Sequence, residues 1–272
     1  MKVFHLKLAG KEIKVRLEND YYGEIFWERF QNNEYEPDTQ TFVANNSNSE
    51  TDFMDIGAAN GAVTLLAALH GARVKAYEPD PTIFEVLKRN IQENSNLLKL
   101  VDLDPAAVSD KADEIHFDLN SNPEILSSIL FSNNQRQKTR VEVRNLADEI
   151  TSFHQDSTRI LIIKMDIEGA EWKTLRNTEV LKILNKHKAR MLLAVHPGFA
   201  RPIPRIAMYT FFTRVPWLVK QIIDSISFYS KISHFAKVNR TNLNPVSNRY
   251  KFALLVIAGY HEFIIDFSNN LE

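Results

Sequence analysis

Asp52-Phe-Met-Asp-Ile-Gly-Ala-Ala-Asn-Gly61 is the stretch whose reading decides the fold. A strand runs to an acidic residue, Asp55, a glycine loop follows, and a helix begins. Seventeen positions after Gly61 stands Glu78, closing a second apolar run, Arg73-Val-Lys-Ala-Tyr-Glu78. Two strands with a glycine loop and helix between them, each ending in an acid, predict a nucleoside-binding βαβ unit. Gly57 and Gly61 let backbone approach a ligand closely. Glu78 can accept hydrogen bonds from both ribose hydroxyls.

Spacing selects the nucleoside. The dinucleotide fingerprint is G-x-G-x-x-G, with the pyrophosphate on the helix N-terminus. Here the glycines stand at Gly57 and Gly61, and the third glycine position of that pattern is missing. A carboxylate just before the loop would repel a pyrophosphate and suit a cationic group. S-adenosylmethionine has no phosphate and carries an ammonium and a sulfonium, so the pattern favours it over NAD. A turn that the glycines merely shape would explain Gly57 and Gly61, but accounts less well for Asp55 and Glu78 beside them.

The chain has 272 residues, enough for one large domain or two small ones. Its 44% hydrophobic and 25% charged content is that of an ordinary globular protein. A formal net charge of −1 argues against a general nucleic-acid binder, because phosphate binding needs a basic surface. The absence of cysteine removes disulfides, thiolate metal sites and cysteine nucleophiles together. No apolar run reaches the roughly 18 residues of a membrane span. The alternating start, Met1-Lys-Val-Phe-His-Leu-Lys-Leu8, lacks the apolar core of a signal peptide. The expectation is a cytoplasmic protein without an integral membrane segment.

Residues 2–9 and 11–17 alternate apolar and polar, with a turn at Ala9-Gly10-Lys11, so a hairpin is expected. Residues 22–31 read as a short amphipathic helix whose aromatics pack on that hairpin, and 44–52 as a loop. Strands then alternate with helices: strand 52–56, helix 60–70, strand 73–78, helix 81–94 opened by Pro81, strand 98–103, strand 159–165, helix 168–184, strand 190–195 and a last strand at 251–258. Residues 113–118 and 139–144 read as an added strand pair around an exposed loop, 119–138. Arg159-Ile-Leu-Ile-Ile-Lys-Met165 has the continuous apolarity of a buried parallel strand. The predicted architecture is α/β, a Rossmann-like parallel sheet with helices on both faces. A hairpin-and-helix extension over 1–50 precedes it, and the sheet domain spans 51–272. Residues 200–250 form a helical insertion before the last strand, read as a substrate lid, a cover for the sheet or a dimer contact of a homo-oligomer.

A second constellation, Lys164-Met-Asp-Ile-Glu-Gly-Ala-Glu171, follows the most apolar strand. Ligands of open α/β sheets bind outside the carboxyl ends of the strands. Asp166 and Glu168 therefore fall on the same rim as Asp55, and His196 closes the next strand. Lys164, Asp166, Glu168 and His196 converge there. Glu171, one turn into the next helix, reads as structural, since an acid there favours the helix dipole.

In this order, Asp55-Ile-Gly-Ala-Ala-Asn-Gly61, Tyr77-Glu-Pro79, Ala107-Val-Ser-Asp110, Val143-Arg-Asn-Leu-Ala-Asp148 and Ile163-Lys-Met-Asp-Ile-Glu-Gly-Ala-Glu171 resemble the motifs of FkbM-type methyltransferases. Tyr35-Glu-Pro-Asp-Thr39 resembles that family's lead-in to the first motif. The resemblance covers residues 35–200, and K-x-D-x-E-G-x-E is its most specific piece. The first motif of the family more often reads D-x-G-A-N-x-G, whereas here Ala59 precedes Asn60; Leu146-Ala147 stands where an L-D pair is usual. The resemblance implies a class I S-adenosylmethionine-dependent O-methyltransferase acting on sugar or polyketide hydroxyls.

Methyl transfer from a sulfonium to an alcohol needs alignment of the oxygen and removal of one proton. Two routes are open. His196 or Asp166 acts as base, with Lys164 beside them, or Mg²⁺ held by Asp166 and Glu168, with His196 as a further ligand, lowers the hydroxyl pKa. Asp166 could instead bind the methionine ammonium. The expected cofactor set is Asp55, Gly57, Ala58, Asn60, Gly61, Glu78, Ala107 and Asp166, with Ala107 offering backbone beside the adenine. The acceptor is read as a small molecule or glycan. Rival readings are a methyltransferase of an amine or protein side chain, an NAD-dependent sugar oxidoreductase, and a non-catalytic binding protein that keeps a vestigial fold.

Overall fold

The chain starts with a hairpin, β1 (Lys2–Leu8) and β2 (Lys11–Leu17), then α1 (Tyr21–Gln31) and α2 (Pro37–Asn46). The βαβ unit follows as β3 (Thr51–Ile56), α3 (Ala62–Leu69) and β4 (Arg73–Tyr77), with α4 (Pro81–Gln92) and β5 (Val101–Asp104) after it. Next come β6 (Ala107–Ser109), β7 (Asp113–Asp118), β8 (Lys138–Asn145), α5 (Leu146–Phe153), β9 (Ile160–Met165), α6 (Glu171–Thr174), α7 (Thr178–Lys186) and β10 (Arg190–Ala194). The chain closes with α8 (Phe211–Ile232), β11 (Lys237–Arg240), α9 (Arg249–Ile257) and β12 (Glu262–Asp266). This computed structural model describes residues 2–17, 21–118, 138–167, 169–196, 211–242 and 244–268.

Seven strands form one sheet in the order β11-β12-β10-β9-β3-β4-β5. β10, β9, β3, β4 and β5 run parallel, and β12 is antiparallel to both of its neighbours. The strand that leads into the glycine loop therefore sits near the middle, flanked on both sides by parallel strands. β6, β8 and β7 make a separate small sheet, in which the expected pairing of 113–118 with 139–144 is antiparallel and β6 joins on the far edge of β8.

Side-chain alternation divides the sheet between two cores. Phe53, Ile162, Leu192 and Ile264 pack with α3, α4, the hairpin and the first two helices. Met54, Ile163, Leu193 and Ile265 pack with α5, α7, α8 and α9. Neighbours in sequence thus face opposite layers of helix, as the continuous apolar strands require. Trp27 and Phe30 are buried with Leu6, Leu8, Ile13 and Val15, so the aromatics of α1 pack on the hairpin.

Several element readings are corrected. Residues 251–258 lie in helix α9 and the turn that ends it, and the last strand is β12. Periodicity cannot separate a short apolar run into strand or helix. Here the Asn248 side chain accepts from Tyr250 and Lys251 N–H and starts a helix. Burial of Phe252, Ala253 and Val256 with exposure of Leu254 and Ile257 is the helical pattern. The expected helix 168–184 is two helices, α6 and α7, separated where Asn177 caps the second. The polar stretch 44–52 holds the end of α2 and the start of β3.

On the lower edge of the sheet Asp52 is fully buried, yet well matched. Its oxygens accept from Arg73 Nε and Nη2 at 3.0 and 2.8 Å, from Arg159 Nε at 2.5 Å, and lie 2.9 Å from His154 Nδ1. Burial works against the charge of Asp52, but the Arg73, Arg159 and His154 contacts outweigh it and hold its carboxyl below the usual range. These contacts tie β3, β4 and the lead-in to β9 together. Asp52→Asn should cost about 3 kcal/mol of stability, the scale for removing one partner of a buried ionic network. Urea denaturation checks this.

Candidate active site

β9, β3 and β4 are adjacent and parallel, so their carboxyl ends share one rim. Asp166 directly follows β9, Glu78 directly follows β4, and Asp55 is the penultimate residue of β3. The three acids expected at strand ends are thereby placed side by side.

The loop between β3 and α3 is held from several directions. Gly57 has φ +82°, and a Cβ there would lie 1.9 Å from the Asp166 carbonyl oxygen. Only glycine fits that crossing. Gly57 and Ala58 N–H both donate to the Tyr77 carbonyl, at 3.0 and 2.9 Å. Ala59 N–H donates to Glu78 Oε2 at 3.0 Å, and Asp80 N–H to Oε1 at 2.9 Å. Ala59 itself sits at φ +50°, in the left-handed region. α3 begins at Ala62 behind Gly61, two residues later than expected. Asn60 precedes the cap, and its Oδ1 accepts from Ala62 N–H at 3.2 Å.

Outside the loop, two buried asparagines, Asn90 on α4 and Asn94 just beyond its end, connect it to the hairpin. Asn90 Nδ2 donates to the Asn60 carbonyl at 2.9 Å, while its Oδ1 accepts from Arg16 N–H at 2.9 Å. Asn94 meets both the N–H and the carbonyl of Lys14. Four residues apart at the end of α4, the pair satisfies the edge of β2 and braces the loop.

Glu78 is buried, and burial pushes its carboxyl up to about 7 despite the two backbone donors. A carboxylate offers about four lone-pair positions, so two remain for a ligand. Ala107 is buried at the start of β6, where it pairs with Val143.

Lys164 lies opposite Asp55 in the register of β3 and β9. Its Nζ donates to the Gly57 carbonyl at 2.9 Å and lies 3.5 Å from Asp166 Oδ2 and 3.8 Å from Asp55 Oδ1. Burial works against its charge, but Asp166, Asp55 and Glu36 outweigh it and hold the ammonium above its ordinary pKa. Asp55 is fully buried, accepting from Thr64 Oγ1 at 2.6 Å. Burial pushes its carboxyl up, with Lys164 and Thr64 pulling the other way. The carboxylate read as facing a ligand cation thus has a lysine of the chain itself as its nearest cation.

His196 stands on the other side of Asp166. Its Nε2 lies 3.6 Å from Asp166 Oδ1, and its Nδ1 lies 2.9 Å from Glu171 Oε1. Glu171 is fully buried and also accepts from Ile167 N–H at 3.3 Å. Lys164, Asp166 and His196 are therefore brought together, while Glu168 lies outside the described residues. Glu171, read from sequence as structural, joins them; its place in G-x-E, one turn beyond the strand end, was the available signal. Two further acids were missed. Burial raises Glu36, with Asp166 and Asp55 adding and Lys164 opposing. Burial also pushes Glu262 up to about 6, with Glu36 adding. Tyr35-Glu-Pro lies far upstream of the strands, and only packing brings it over the rim.

These features fit a cationic nucleoside better than a phosphate. The loop crosses Asp166 where no Cβ fits, a buried carboxylate edges it, and acids outnumber the one lysine among the described residues at the rim.

A family model described as Methyltransferase FkbM domain matches residues 55–224. No curated protein matches the chain in sequence. Among solved structures, methyltransferase FkbM from Methylobacillus flagellatus KT is 13% identical with a TM-score of 0.42, covering 80% of this chain and 44% of that one. The chain thus spans under half the length of that protein. Cofactor-bound Rv0187 from MTB is 10% identical, TM-score 0.43, covering 97% and 94%. A SAM-dependent methyltransferase from Agrobacterium tumefaciens is 11% identical, TM-score 0.34, covering 77% and 56%.

Two loop variants should move stability in opposite directions. Ala59→Gly relieves a left-handed alanine and should stabilise by about 0.5–1 kcal/mol. Gly57→Ala should destabilise by more than about 2 kcal/mol through the clash with Asp166. Thermal unfolding of both variants reads the contrast.

Proposed function

We propose, on the premise that the chain belongs to the FkbM family of S-adenosylmethionine-dependent methyltransferases, that it methylates a hydroxyl of a sugar or related small glycan or natural-product acceptor. The carrying observation is the position of Asp166. One oxygen faces Lys164 beneath the glycine loop and the other faces His196. A cofactor half and an acceptor half of the rim thus meet at one carboxylate.

S-adenosylmethionine supplies an already activated methyl group. Gly57, Ala58, Asn60 and Gly61 shape its cradle, Glu78 holds the ribose, and Ala107 presents backbone to the adenine. Asp55 and Asp166 supply negative potential for the ammonium. Lys164, kept protonated, anchors the Gly57 carbonyl and prevents the two carboxylates from repelling each other; this suits an electrostatic role rather than uptake of a proton. His196, with Glu171 at its other nitrogen, is the group placed to take the hydroxyl proton. An imidazole positioned by a carboxylate is an established design for a general base. A second route, through a divalent cation at Asp166, would acidify the hydroxyl instead.

In this reading residues 51–272 are the catalytic unit, 1–50 are an extension that braces the loop, and 200–250 shapes the acceptor pocket or a dimer contact. No helix among the described residues is long and apolar enough to cross a membrane. A cytoplasmic location belongs to the same proposal.

Calorimetry with S-adenosylmethionine should show one site, and Glu78→Gln should weaken it by about 10-fold or more. Absence of binding would overturn the reading, and tight NADH binding in its place would favour an oxidoreductase. Methyl-labelled cofactor with a panel of sugars should give methyl ethers; N-methyl products would overturn the choice of oxygen.

The pH dependence has a definite sign. Ribose hydroxyls donate to the ionised carboxyl of Glu78, and burial pushes that carboxyl up to about 7. Affinity should therefore fall by about 10-fold from pH 8 to pH 6. The ligand's own amine titrates as well, so the component due to Glu78 is the part lost in Glu78→Gln, measured by calorimetry across the same range.

A further inference from the structure

We propose that Asp166, Glu171 and His196 form a binding site for one divalent ion of the first transition series, of the Mn²⁺ type. One donor atom from each residue lies within 4.8 Å of the others. Donors sharing one ion at about 2.1 Å stand about 3 Å apart when adjacent and about 4 Å apart when opposite, so a small contraction closes the set.

Two orphaned oxygens point to an occupant. Glu171 is fully buried, and its Oε2 has no hydrogen-bond partner. Among the described residues no lysine or arginine pairs with it; Lys173, nearby in sequence, goes to Asp110. Asp166 Oδ1 is likewise buried without a hydrogen-bond partner. His196 Nε2 stands 3.6 Å from it, too far for a hydrogen bond. Lys164 does not compete for this position, because it faces the other oxygen, Oδ2, and is anchored on the Gly57 carbonyl. The 2.9 Å between Glu171 Oε1 and His196 Nδ1 is the spacing of two adjacent ligands of one ion, so Nδ1 is the ring atom offered to it.

One imidazole with two carboxylates suits Mn²⁺ and its neighbours better than Mg²⁺, which prefers oxygen and water alone. The donor set departs from the Mg²⁺ reading of Asp166 and Glu168 by placing Glu171 in it. An ion here would bind the acceptor oxygen and lower its pKa. That use rests on the O-methyl reading; binding of the ion does not.

The test titrates MnCl₂ into the full chain and follows the free-ion signal by electron paramagnetic resonance. The expected result is one Mn²⁺ per chain. Affinity should be about 10- to 100-fold weaker in Asp166→Asn and Glu171→Gln and unchanged in Asp102→Asn, an exposed residue of β5. Because a variant at buried Glu171 can misfold, electron spin echo modulation on the wild type gives an independent readout, a single coupled imidazole nitrogen. No binding, binding unaffected by both variants, or bound Mn²⁺ without nitrogen coupling would each overturn the site. S-adenosylmethionine affinity measured on the same samples separates this outcome from failure of the cofactor reading.

Discussion

A single buried ammonium governs the architecture of the rim. Lys164 stands across from Asp55 in the sheet register and beside Asp166 one position past the strand. Two carboxylates this close, in a setting largely removed from water, would repel strongly without it. The same nitrogen donates to the Gly57 carbonyl. Charge balance within the sheet and the course of the glycine loop are thus one interaction, and the loop can cross Asp166 at van der Waals distance because Gly57 carries no side chain.

The second constraint is bracing from outside the sheet. Asn90 and Asn94 connect the loop and α4 to the N-terminal hairpin. They do so through amides, which donate and accept at once and can satisfy both an unpaired strand edge and a loop carbonyl. The hairpin therefore shares the core of α3 and α4. Its packing also carries Tyr35 and Glu36 to the rim, where their charge environment includes Lys164 and Asp166.

Asp166 links the two halves of the site. Its oxygens look in different directions, one toward the loop and its lysine, the other toward His196 and Glu171. In the proposed reading, a carboxylate shared by the glycine loop's lysine and an imidazole–carboxylate pair is suited to aligning two reactants, which is most of what methyl transfer asks of an enzyme.

The sequence by itself determined the βαβ unit, the two acidic strand ends and the family, because apolar runs, glycines and motif spacing are local quantities written along the chain. It also placed Asp55, Lys164, Asp166 and His196 on one rim, since strand ends of a parallel sheet share an edge. It misread 251–258, where a short apolar run carries no period that separates helix from strand, and it read Glu171 at its helix start as structural, without the contact to His196. Only the tertiary structure decided that Asp55 faces a lysine of its own chain, that Glu171 reaches His196 and that the distant Glu36 comes over the same rim. Those contacts join segments far apart in sequence, and their energies depend on burial and distance, which exist only once the sheet and its two helical layers have packed.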